Sequence, residues 1–106
     1  MASTAMPNPM VVKELMDRID AVSVRMSAAR PCEIALEVET MRRMARDNGI
    51  RPALTVLHAI DSALARGERG VLVRGWLDIL RDAVGYGDDQ DAETLFAAAC
   101  SVRLNG

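Results

Sequence analysis

IALEVETMRRMARDNG, residues 34–49, carries an apolar stripe, a charged face and a stop signal in a single run. At 3.6 residues per turn Ile34, Val38, Met41, Met44 and Ala45 fall on one side, and Glu39, Arg42, Arg43 and Arg46 on the other. That is an amphipathic helix with one side to bury and one to show. Glu39 precedes Arg42 and Arg43 by three and four residues, the favourable order for ion pairs. Each such pair contributes about 0.2–0.5 kcal/mol on a solvated surface. Acids lead (Glu33, Glu37, Glu39) and bases follow, which complements the helix dipole, and Gly49 is a ready left-handed cap.

Working outward, a helix from Pro31 or Cys32 to Asn48 is bounded by two prolines that suit first helical turns. Upstream, residues 1–9 (MASTAMPNP) read as an unstructured leader ending where Pro9 can open a helix. Val12, Leu15, Ile19, Val22 and Met26 then recur at three- and four-residue steps, giving a first helix from Met10 to about Ala28. Downstream, Pro52 starts a third helix running to about Arg66, with Ala53, Val56, Leu57, Ile60, Ala63 and Leu64 inward. Gly67-Glu68-Arg69-Gly70 is a turn and lacks the lysine-hydroxyl ending of a phosphate-binding loop. Residues 71–84, VLVRGWLDILRDAV, form the most apolar helix, and Trp76 makes it the expected centre of the domain. A last helix from Asp91 to about Leu104 begins on an acid and offers Leu95, Phe96, Ala99 and Val102 to the core.

The expected architecture is therefore all-α: a single helical domain over residues 10–106, with five helices whose short links make neighbours antiparallel. At 106 residues the chain is long enough to bury a core without staples. With only one Phe, one Trp and one Tyr in a composition that is 50% hydrophobic, that core is aliphatic. All seven methionines lie in the first 44 residues, and apart from Met1 and the tail residues Met6 and Met10 their expected role is to fill irregular core gaps.

Charge excludes more than it selects. Thirteen bases against fifteen acids leave a formal −2, with no cationic field to draw in nucleic acid or an anionic membrane. No apolar run spans a bilayer and the N-terminus lacks a signal-peptide pattern, so the expected location is the cytoplasm, in the style of a bacterial protein. Cys32 and Cys100 have neither zinc nor redox-motif spacing and read as two buried thiols. His58, the lone histidine, has Asp61 three residues on, a spacing that can orient a general base, but no nucleophile accompanies it. The acids Asp88, Asp89, Asp91 and Glu93 fail the calcium-loop pattern, which from Asp89 would need glycine at Thr94 and glutamate at Cys100. No cofactor or metal site emerges, and no catalytic residue.

From Glu39 the chain resembles a histidine-containing phosphotransfer domain, the small helical module of phosphorelays. That family's second helix carries the phosphorylated histidine followed by hydroxyl, apolar, Lys, Gly and small residues, with a glycine ten positions on. Here Thr40, Met41, the base Arg42 and the terminal Gly49 match that run, and residues 50–67, IRPALTVLHAIDSALARG, are similar to the family's third helix. The resemblance spans residues 10–104 and implies an antiparallel four-helix bundle capped by an N-terminal helix. Two positions depart: Glu39 stands where the histidine belongs, and Arg43 replaces the small glycine that lets a receiver domain approach. The resemblance then implies a non-catalytic protein–protein interaction module docking a signalling protein, a receiver or a histidine kinase, through Glu39, Arg42, Arg43 and Arg46. The second reading is a structural subunit that forms a homodimer, or joins a larger assembly, through its methionine-bearing first helix.

Overall fold

The computed structural model describes residues 8–105. It has five helices in the order α1 Pro9–Arg25, α2 Pro31–Asp47, α3 Arg51–Ala65, α4 Val71–Val84 and α5 Gln90–Asn105. The all-α expectation holds among the described residues. Residues 1–7 of the expected leader lie outside them; Asn8, rather than trailing loosely, accepts a hydrogen bond from the Met10 amide at 2.9 Å and caps α1.

The helix ends follow from local chemistry. Pro9, Pro31 and Pro52 sit in the first turns of α1, α2 and α3, where a missing N–H costs nothing. Glu33 turns back to accept from the Arg30 amide at 3.2 Å, one half of a capping box. At the far end of α2, Gly49 takes φ +68° and the Ile50 amide reaches back to the Ala45 carbonyl at 2.9 Å. Ile50 is thereby driven into the core, fully buried. The same device closes α3, where Gly67 at φ +93° lets Glu68 N–H bond the Ala63 carbonyl at 3.0 Å.

Neighbours in sequence run antiparallel, and α3 is the hub: it packs against α2, α4 and α5, while α1 lies on α2 and α4. Between α1 and α4, Asp20 meets Arg81 and the Ser23 carbonyl meets Arg74, pairing rising with falling numbers. By contrast α3 and α5 run side by side in one direction. Arg51 at the start of α3 donates to the Asp88 carbonyl just ahead of α5, and Arg66 past the end of α3 donates to the Leu104 carbonyl. α2 and α5 share α3 as neighbour and do not meet each other; α5 touches α4 only briefly.

Two expectations are corrected here. The centre is α3, not α4. Pro52, Ala53, Val56, Leu57, Ala59, Ile60 and Ala63 are all buried, and the three small alanines let helices approach α3 from several directions. Trp76 of α4 is still the largest fully buried side chain, with its indole N–H donating to Glu68 at 3.0 Å. Second, α5 turns a different stripe inward from the one expected. Ala92 and Cys100 are buried with Phe96 and Leu104 packed partly against the core, while Leu95, Ala99 and Val102 are exposed. Apolar residues surround α5 on most sides, so two stripes competed; the four-residue row with small Ala92 and Cys100 lets α5 lie close along α3.

No buried polar or charged residue occurs among the described residues. Met26 and Met41 are core residues and Met16 and Met44 pack against the core, which is the gap-filling role expected of them.

Candidate functional site

The charged face of α2 is built on Met41, Val38 and Ala45, whose complete burial fixes the helix and so aims the residues between them outward. Arg42 is the organising side chain. Its guanidinium donates to Asp61 Oδ2 of α3 at 2.8 Å and to Glu39 Oε1 of its own helix. The result is a carboxylate–guanidinium–carboxylate bridge tying α2 to α3, with all three side chains half-buried. Arg46 pairs with the adjacent Asp47 at 3.4 Å, well exposed. Arg43 makes no ion pair among the described residues and is exposed, as is Leu36, about two turns before it on the same side of α2.

The four residues singled out from the sequence thus share one face and divide into two roles. Glu39 and Arg42 are held in place by an internal network, whereas Arg43 is available and Arg46 is weakly held. Of the two ion pairs open to Glu39, only the one with Arg42 forms. Asp61 was placed beside His58 by spacing, yet its carboxylate belongs to Arg42; His58 is exposed, with only its backbone carbonyl accepting from Ser62. Nothing in the linear spacing connects residue 42 to residue 61, since the pair exists only once α2 and α3 are antiparallel. Leu36 also escaped the sequence reading, although an isolated leucine between Ala35 and Glu37, off the buried stripe, was its signal.

The cysteines do not match the expectation of two buried thiols. Cys100 is buried, and burial pushes its thiol above the ordinary value, opposed in part by Arg103; Cys32, in the first turn of α2, is exposed. Both are free. The reason is positional: Cys32 precedes Ile34, the first core residue of α2, and projects from the opposite side.

Two surface hollows accompany these faces. One of about 390 Å³ lies between the start of α1 and the end of α4, lined by Pro9, Val12, Val84 and Tyr86 among others. A second, of about 240 Å³, is lined by Tyr86, Ala92, Leu95, Phe96 and Ala99. His58 lines neither. Among the described residues no three His, Cys, Asp or Glu side chains gather as they would around a metal ion, and no helix is long and apolar enough to cross a membrane. Comparison of the chain with protein-family models, with curated proteins and with solved structures found no match.

Proposed function

We propose that this chain is a non-catalytic protein–protein interaction module that docks its partner through α2. The observation that carries the reading is the contrast within one face: Arg43 and Leu36 stand exposed beside a Glu39–Arg42–Asp61 bridge held across two helices. A partner meeting such a face loses little side-chain freedom at the bridge, which is already ordered, and gains a charge and an apolar anchor beside it. Because Arg42 partly neutralises Glu39, the face selects a partner with an acidic patch next to an apolar pocket. The arginines then set register and encounter rate more than affinity.

The narrower reading is a pseudo-phosphotransfer domain docking a receiver domain or a histidine kinase. It rests on the resemblance around residues 39–49, with Glu39 as a permanent carboxylate in place of a transferable phosphate. The broad reading is tested by replacing Leu36 and Arg43 together with glutamate and measuring capture of receiver and kinase proteins; undiminished capture dismisses the α2 face. The narrow one is tested by E39H combined with R43G, followed by exposure to a phosphorylated receiver. Transfer to position 39 supports kinship, and its absence with the fold intact counts against it.

A homodimer through α1 has less to work with. The exposed large apolar residues there are Met10 and Val24, at opposite ends of the helix, while Leu15, Ile19 and Val22 face inward.

A further inference from the structure

The unpartnered side of α5 is the feature that neither the fold nor the α2 face explains. Eight large apolar side chains remain more than half exposed among the described residues, and four of them lie on α5 or at the two ends of α4: Leu95 and Val102 on α5, Leu72 in the first turn of α4 and Tyr86 just past its end. Contacts tie α5 to both ends of α4: Tyr86 packs edge-on against Phe96 and shares a hollow with Leu95 and Ala99, and Arg103, the residue after Val102, donates to the Leu72 carbonyl at 2.9 Å. Leu95, Ala99 and Val102 follow one another at four- and three-residue steps, the spacing of a helix seam. An exposed seam of this kind marks an interaction surface rather than scattered apolar residues.

Charge says what covers it. The Tyr86 end of the seam is net acidic, with Asp88, Asp89 and Asp91 beside the base Arg51, and the Leu72 end is net basic, with Arg66, Arg69 and Arg103 beside the acid Glu68. A second copy laid antiparallel across a two-fold axis near Ala98 and Ala99 places each acidic end on the other's basic end and opposes the two helix dipoles favourably. It also sets Leu95 of one copy against Val102 of the other, with alanines at the crossing small enough for close approach. A parallel arrangement puts acid on acid. We propose that α5 is the interface of an antiparallel, two-fold symmetric homodimer of this chain. α2 and α5 each pack on α3 without touching one another, so the proposal stands apart from the reading of α2.

The test is sedimentation equilibrium of the full chain from low micromolar to near-millimolar concentration, with L95K and V102E as variants and circular dichroism to verify the fold. Both positions are exposed in the single chain, so both variants fold. The wild type moves from one toward two chain masses of 11.5 kDa. Each variant dimerises more weakly by roughly 100-fold or more, since each change strikes the symmetric interface twice. Mixing L95K with V102E restores a dimer, because the antiparallel register sets Lys against Glu at one end and leaves the native Leu–Val pair at the other. A wild type monomeric throughout, a dimer that persists in both variants, or a mixture that stays monomeric overturns the proposal.

Discussion

Arg42 of α2 and Asp61 of α3 meet at 2.8 Å across the interface between the two helices, and Glu39 completes the bridge from the same guanidinium. With the carboxylates more than a third exposed, solvent screening holds each pair to about 0.5–1 kcal/mol. Arg42→Ala is therefore expected to lower stability by about 1 kcal/mol in urea unfolding. Arg43→Ala, which breaks no pair, should stay within about 0.5 kcal/mol. A double-mutant cycle on Arg42 and Asp61 that gives no coupling energy removes the bridge as an element of α2–α3 packing.

The Gly67–Gly70 turn, legible in the sequence only as a break, has a structural task. It carries Glu68 to the indole N–H of Trp76, whose ring is fully buried and covered by the Arg103 guanidinium at 4.9 Å from its centroid. Glu68→Ala leaves that donor buried without a partner and should cost about 1–3 kcal/mol, whereas Glu68→Gln keeps an acceptor and costs less. Trp76→Ala opens a cavity worth about 3–5 kcal/mol. As Trp76 is the only tryptophan, its fluorescence reports the first two variants directly. Equal losses for Ala and Gln at position 68 would contradict this account.

How much could be read from residues alone depended on how one-sided each helix is. α2 and α3 have a single apolar stripe bounded by proline and glycine, so their limits and inward faces came out of periodicity directly. α5 has apolar residues on nearly every side, and spacing could not say whether Leu95 and Val102 or Ala92 and Cys100 would turn inward. The outcome was decided by close packing on α3, a tertiary fact. The Arg42–Asp61 contact was hidden for a related reason: it joins residues nineteen apart that share no helix. Charge on the α2 face was visible in the sequence; which of its arginines would be consumed internally was not.

Accessibility separates the two thiols. Cys32 is exposed and Cys100 is buried, with burial raising the latter above its ordinary 9.0 and so keeping it protonated over the usual working range. One equivalent of a thiol reagent should react quickly in the native state, and C32S should abolish that phase. The second equivalent should appear only on unfolding. Because α2 and α5 do not meet, mild oxidation should cross-link chains through Cys32 and form no bond within a chain. Fast native labelling of Cys100, seen by peptide mapping, would contradict its placement on the inner side of α5.

The clasp between α1 and α4 ties a pH-dependent contribution to one carboxyl, Asp20. Arg81 donates to Asp20 at 2.9 Å and 3.3 Å, and chiefly through that hydrogen bonding it holds the Asp20 carboxyl below its ordinary 3.8. A carboxylate whose folded value is depressed stabilises the fold above its unfolded value and loses that contribution as pH falls through the lower, folded one. Asp20→Asn should therefore speed amide exchange in α1 at neutral pH, and the difference from the wild type should shrink as pH drops below 3.8. Both side chains are solvent-exposed, so the effect stays local to α1 and weakens with added salt. Arg81→Met should reproduce it, and the double variant should add nothing further. A difference between wild type and Asp20→Asn that persists undiminished well below 3.8 would assign it to something other than this ion pair.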